Sequence, residues 1–142
     1  MSTTPSAADL SQTFTRAAQE MRRKAGTYFA TLGWSVAAVR FMVTLESIGS
    51  GARMSDIGTA LGVTPRAVTA LADTLEGDGL VARTPARNDR RTTLITITPA
   101  GWEHIEKIRQ HNVELAERTF QALDESERTV LMDFLHRLMS AS

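Results

Sequence analysis

The sequence contains no cysteine. It can therefore form no disulfide, build no thiolate metal site and sense no oxidant through thiol chemistry. Nor does it contain an apolar run near the ~20 residues that a membrane span needs. Its first residues, Met1 to Ala8, are polar and hold no apolar signal-peptide core, so a cytoplasmic location is expected. A glycine-rich phosphate loop, a nucleophile elbow and an HExxH pattern are all missing, which leaves no basis for an enzyme or a cofactor. There is no internal repeat and no low-complexity tract. Neither sign of charge is in excess: 16 Lys and Arg balance 16 Asp and Glu, and a zero sum at first argues against a nucleic-acid partner.

The distribution of charge reverses that argument. Residues 1–102 carry 11 basic and 8 acidic side chains, a net of +3, whereas residues 103–142 carry 5 and 8, a net of −3. Arg83, Arg87, Arg90 and Arg91 fall within nine residues of one another. An acidic C-terminal part cancels a basic middle in the sum but not in space. With 42% hydrophobic and 23% charged residues in 142, the chain is an ordinary globular one of about one domain.

Periodicity supplies the elements. Leu10, Phe14, Ala17, Met21, Ala25, Tyr28 and Leu32 recur in steps of three and four, which predicts a helix from Ala7 to Leu32 that ends at Gly33. Ser35 caps a second helix, broken by Gly49-Ser50-Gly51. A short third helix spans Ser55 to Leu61. Thr64-Pro65 then gives a cap and a first-turn proline for a fourth helix reaching Glu76. After Asp78-Gly79 the pattern turns to strands at Leu80–Arg83 and Thr92–Thr98, joined by the polar segment Thr84–Arg91, which reads as a β-hairpin with a long basic tip. Thr98-Pro99 starts a long helix to Leu123. Asp124 and Glu127 form a capping box for a last helix with a wide apolar face.

The informative unit is Ser55–Thr98. Two helices joined by Gly62-Val63-Thr64 fit a helix-turn-helix, whose second helix enters the DNA major groove with its N-terminal residues at base edges. Val68, Leu71, Ala72 and Leu75 form its buried face. The opposite face offers Thr64, Pro65, Arg66, Ala67, Thr69, Ala70 and Asp73 for DNA, with Arg66 suited to a guanine or a phosphate. The hairpin adds Arg87, Arg90 and Arg91, placed for a narrow minor groove or the phosphates. Asp89 cannot help phosphate binding; it is expected to pair with a neighbouring arginine, Arg91, and to order the wing. Arg83 is ambiguous, since an acidic neighbour at the hairpin base can claim it.

Taken together, Leu61-Gly62-Val63-Thr64, Val68-Thr69, Leu75-Glu76-Gly77-Asp78-Gly79-Leu80-Val81-Ala82-Arg83, Asn88-Asp89-Arg90-Arg91 and Ile97-Thr98-Pro99-Ala100-Gly101 resemble the MarR family of bacterial regulators over roughly residues 34–101. The resemblance implies a mainly α protein with a small β-hairpin wing, a winged helix-turn-helix flanked by dimerisation helices. On that division residues 1–33 are the N-terminal part of the dimerisation region, 34–101 the DNA-binding domain and 102–142 the C-terminal dimerisation helices. It also implies a homodimer on a pseudo-palindromic operator of double-stranded DNA, usually a repressor released by a small ligand. The sequence departs from the family in lacking basic residues near Ala70 and Thr74, which shifts the burden to Arg66 and the wing. It also has Arg53 where a capping Ser or Thr is common and Gly58 where alanine is usual.

Leu10, Phe14, Leu131, Phe134, Leu135 and Leu138 offer more apolar surface than one small winged domain can cover, which predicts isologous dimerisation. The family's ligand region maps to Tyr28, Trp34, Arg40, Phe41 and His104, a lining suited to a small aromatic, weakly acidic compound. Against that stands the plain reading of these residues as core. His104 and His111, two helical turns apart, lack the close carboxylate–histidine spacing of a zinc site, so no metal is assigned. A protein-interaction winged helix, or a weakly specific DNA-binding protein with a steep salt dependence, remains the alternative.

Overall fold

The computed structural model describes residues 3–141; Met1, Ser2 and Ser142, at the outer ends of the first and last expected regions, lie outside the described residues. The elements are α1 (Ala7–Thr31), α2 (Val36–Ile48), β1 (Ala52–Arg53), α3 (Met54–Leu61), α4 (Pro65–Gly77), β2 (Val81–Ala86), β3 (Asp89–Ile97), α5 (Pro99–Phe120) and α6 (Glu125–Ser140). The chain is mainly helical with a small antiparallel sheet ordered β1-β3-β2, the winged-helix class that the sequence predicts. Two compact units divide it at Arg109 and Gln110, inside α5.

In the first unit the predicted caps hold. The Ser35 hydroxyl accepts from the Ala38 N–H at 3.1 Å, and the Thr64 hydroxyl accepts from the Ala67 N–H at 3.2 Å. Thr98 does double duty: it accepts from the Gly101 N–H at 3.0 Å and donates to the Gly79 carbonyl at 2.5 Å. By contrast, α3 starts at Arg53 with no side-chain cap. Its position depends on packing, since each terminal N–H left without a cap weakens a helix start. The core draws Phe41, Met42 and Leu45 from α2, Ile57 from α3, Leu75 from α4, Ile95 from β3 and Ile105 from α5, all at most 1% exposed. Each such side chain contributes ~1.5–3 kcal/mol by burial.

Two glycines are dictated by geometry. Gly62 ends α3 in the left-handed region, φ 68°, which side chains other than glycine rarely adopt; that bend makes the tight turn into α4. Gly101, in the first turn of α5, faces the backbone after α4. A Cβ there would stand 2.1 Å from the Leu80 carbonyl oxygen. Only glycine lets α5 begin against the base of the wing.

The hairpin differs from expectation in two ways. Its regular ladder runs from Val81↔Ile97 to Pro85↔Thr93, further than Leu80–Arg83 predicts, because the cross-strand pairing continues after the local β pattern fades. The next pair is Ala86↔Asp89, so Arg90, Arg91 and Thr92 form a bulge on β3 and the turn itself is Arg87-Asn88. Unpredicted β1 pairs with β3 through Ala52↔Ile95 and Arg53↔Leu94, making β3 the central strand.

The second unit holds the end of α5 and all of α6. Asp124 and Glu127 form the predicted capping box, with both reciprocal bonds at 2.9 Å. The Arg128 Nε donates to the carbonyls of Phe120 and Leu123, each at 3.1 Å. It thus adds a charged donor to two carbonyls at the α5–α6 corner, of which Phe120 also accepts from the Leu123 N–H at 3.0 Å. No residue of α6 is buried. Between α5 and α6 lies an apolar groove of about 260 Å³ lined by Ala116, Phe120, Leu131, Met132 and Leu135. In the first unit, α1 buries only Phe29 and leaves Leu10 and Phe14 59% and 55% exposed.

Candidate nucleic-acid interface

Helix α4 is built to present its first turn. Thr64 caps it, Pro65 occupies the first position, where no N–H is needed, and Val68, Ala72 and Leu75 bury the opposite side. Gly58 lets α3 approach: a Cβ there would lie 2.9 Å from the Val68 Cγ2. Outward from that anchored face stand Arg66, Thr69 and Ala70, all exposed, with Ala67 partly covered. The Thr69 hydroxyl donates back to the Pro65 carbonyl at 3.0 Å, so the hydroxyl proton is used within the helix and the methyl group is left for outside contact. The exposed start of α4 adds backbone N–H groups and the positive end of the helix dipole, both favourable to phosphate.

Of the predicted DNA-facing residues, Asp73 has a different neighbour. Its carboxylate takes the Arg83 guanidinium at 2.5 Å, and Glu76 takes the other arm of Arg83 at 3.2 Å. Glu76 also accepts from the Arg83 backbone N–H at 3.1 Å. The hydrogen bond that Arg83 donates to Asp73, aided by the charge of both carboxylates, raises the Arg83 pKa above its ordinary value. Asp73 is thereby committed within the protein.

The wing carries the free cations. Arg87, Arg90 and Arg91 are exposed, and among the described residues neither they nor Arg66 has an ion-pair partner. Arg87 lies at the turn and Arg90 in the bulge beyond it. The expected Asp89–Arg91 pairing is made through backbone: Asp89 accepts from the Arg91 N–H at 2.9 Å and from the Thr92 hydroxyl at 3.1 Å. One carboxylate so closes the bulge, and the Arg91 guanidinium remains outside it. A sequence can suggest that Asp89 orders the loop, but not which donor it takes.

The predicted ligand residues separate. Trp34 and His104 meet edge to face at 4.4 Å, Trp34 stacks on Phe29 at 5.9 Å, and Tyr28 meets Phe29 edge to face at 5.7 Å. Burial is the main cause that lowers the His104 pKa, helped by Lys107. Phe41 is fully buried in the core. Arg40 turns to the helix-turn-helix instead and donates to the Leu61 carbonyl at 3.3 Å, at the end of α3. The core thus explains Phe41 and a helix end explains Arg40. Among the described residues no single helix is long and apolar enough to cross a membrane.

Comparison with known proteins agrees with this geometry. The MarR family model matches residues 34–93. The HTH-type transcriptional repressor IacR of Pseudomonas putida is 31% identical over 74 residues, which cover 52% of this chain and 44% of that protein; the chain therefore matches less than half the length of this curated relative. The YusO protein of Bacillus subtilis shares 25% identity with a TM-score of 0.77, over 97% of this chain and 100% of YusO. Wild-type MarR of Escherichia coli, in its apo form, superposes with a TM-score of 0.84 at 22% identity, over 97% and 98% of the two chains. A mutant of the same MarR complexed with operator DNA gives 0.71 at 22%, over 91% and 92%. Sequence agreement with the MarR family model thus covers residues 34–93, and fold agreement extends over nearly the whole length.

Proposed function

We propose that this protein is a sequence-specific, double-stranded DNA-binding transcription regulator, acting in the cytoplasm as a homodimeric repressor on a pseudo-palindromic operator. The observation that carries the reading is the pairing of a capped recognition helix, whose exposed first turn bears Arg66, with a wing whose Arg87, Arg90 and Arg91 have no acidic partner among the described residues. Unpaired guanidinium groups at the end of a hairpin are what a phosphate backbone and a narrow minor groove attract. The relative IacR is a transcriptional repressor, and the structure of MarR with operator DNA supports the same partner here. The reading needs no catalysis.

The homodimer follows from unpartnered surface. Leu10, Phe14, Phe134 and Leu138 are each at least half exposed, and Leu131 and Leu135 line the groove beside α6. A second copy covers such faces isologously, burying well over ~1,200 Å² in a stable complex. We assign release from DNA to a small aromatic, weakly acidic compound at Tyr28, Trp34 and His104, where aromatic faces and an imidazole lie together.

The test is affinity against salt concentration on a duplex selected from a random pool and on its scrambled counterpart. Arg66→Ala should lose more on the selected duplex, because a base contact carries sequence preference. Arg87→Ala and Arg90→Ala should lose on both and lower the salt slope by roughly one per phosphate contact. Equal slopes and affinities for wild type and all three variants would refute the interface.

A further inference from the structure

Arg83 belongs to neither the recognition helix nor the wing tip, yet it is the most heavily engaged cation in the winged domain. It sits on β2, the first strand of the hairpin, 28% exposed at its side chain. Both arms of its guanidinium reach back to α4, to Asp73 at 2.5 Å and to Glu76 at 3.2 Å. Its own N–H is held by Glu76 at 3.1 Å. Three bonds thus join one strand residue to two residues of the recognition helix. Asp73 and Glu76 are exposed carboxylates on a helix whose remaining exposed cation is Arg66. Left alone they would repel the phosphates that the start of the helix attracts.

Resting on the DNA-binding reading above, we propose that Arg83 is a positioning residue that acts on DNA only through Asp73 and Glu76. Its charge cancels theirs on the flank of α4, and its fork holds the wing at a fixed place relative to that helix. Arg83 itself makes no phosphate contact, because its guanidinium is turned to the two carboxylates. It differs in this from Arg87, Arg90 and Arg91, whose guanidinium groups are open. Lysine cannot replace it fully: a single ammonium lacks the planar fork that spans two carboxylates.

A double-mutant cycle tests the claim, since residues that act through one another lose additivity. Affinity is measured by fluorescence anisotropy for the full chain on a 30-base-pair duplex selected from a random pool. Arg83→Met should weaken binding at least tenfold in the wild-type background and less than twofold in the Asp73→Asn, Glu76→Gln background. An equal tenfold loss in both backgrounds would show a direct DNA contact, and no loss in either would show an idle surface pair; each overturns the proposal. Hydrogen–deuterium exchange without DNA supplies the second measurement. Residues 81–86 should exchange faster in Arg83→Met and in the Asp73→Asn, Glu76→Gln protein alike, and unchanged exchange in both also overturns it. The two readings fail differently: a wild-type chain that enriches no duplex defeats DNA binding as a whole, whereas a wild type that binds with an additive cycle defeats this inference alone.

Discussion

Substituting alanine at three helical glycines should give three different outcomes, because the space around each differs. At Gly101 the new Cβ would lie 2.1 Å from the Leu80 oxygen, 2.9 Å from the Ile97 Cγ2 and 3.1 Å from the Leu80 carbonyl carbon. An ordinary carbon–oxygen contact is about 3.3 Å, so these atoms must part by roughly 1 Å. The obstacle is backbone, and it is tied on both sides: the Leu80 oxygen accepts from Thr98 at 3.2 Å and the Leu80 nitrogen donates to Leu75 at 3.0 Å. Overpacking costs ~1–3 kcal/mol, a disrupted hydrogen bond ~1 kcal/mol more, and the helix gains at most ~1 kcal/mol from alanine. The net is a loss of about 1–3 kcal/mol, which for a chain of this size lowers the unfolding midpoint by roughly 3–12 °C. At Gly77 nothing lies within 4 Å of the added carbon, so Gly77→Ala should gain ~0.5–1 kcal/mol and raise the midpoint. At Gly58 the obstacle is one methyl of Val68 at 2.9 Å, a side chain and not backbone. Cost and helix gain there should nearly cancel, to within ~1 kcal/mol. Thermal unfolding followed by circular dichroism at one protein concentration, since any self-association would move the midpoint, reads all three. A Gly101→Ala protein that melts at or above wild type would refute the packing argument.

Other outcomes follow from single contacts. Asp89→Ala should weaken DNA binding although it removes a negative charge, because the Arg91 N–H and Thr92 hydroxyl lose their acceptor; tighter binding in the same anisotropy assay would show that Asp89 merely repels phosphate. Phe134→Asp with Leu138→Asp should leave a monomer at micromolar concentration in sedimentation, and an intact dimer would place the interface elsewhere. His104 has a folded pKa below its unfolded value of about 6.5, so the unfolded chain binds the proton better. Stability should therefore be constant above that pH and fall as pH drops from about 6.5 through the lower folded pKa, a fall that His104→Phe abolishes between pH 7 and 5; an unchanged pH profile in that variant would exclude His104 as its source. Arg128→Met should cost ~1 kcal/mol by leaving the Phe120 and Leu123 carbonyls without their charged donor, seen as faster exchange at the α5–α6 corner.

What the sequence disclosed and what it concealed divide by range. Several features set within four residues were legible: the caps at Ser35 and Thr64, the Asp124–Glu127 box, the breaks at Gly49 and Gly62, and the missing cap at Arg53. Features set by distant partners were not. Strand β1 is two residues long and exists because Ile95 and Leu94 pair with it across more than forty positions, so no local pattern announces it. Asp73 sits on the exposed face of α4 and looks like a DNA contact until Arg83, ten residues on, is folded against it. Arg40 and Phe41 are adjacent in sequence, but the helix sends one to the end of α3 and the other into the core. Arg66, Arg87 and Arg90 were legible as exposed cations because nothing in the fold claims them.

The outer edge of the wing has a consequence for crowding. β2 borders the sheet, and a bordering strand offers unpaired N–H groups to any neighbouring chain. Residues two apart on a strand point the same way. Arg83 spends its outward N–H on Glu76, and Pro85, next along that edge, has no N–H to offer. Two consecutive outward donors are thus withdrawn on the edge of a hairpin that must protrude. Chains gathered side by side at high local density can hold their wings close without the strands annealing into a shared sheet.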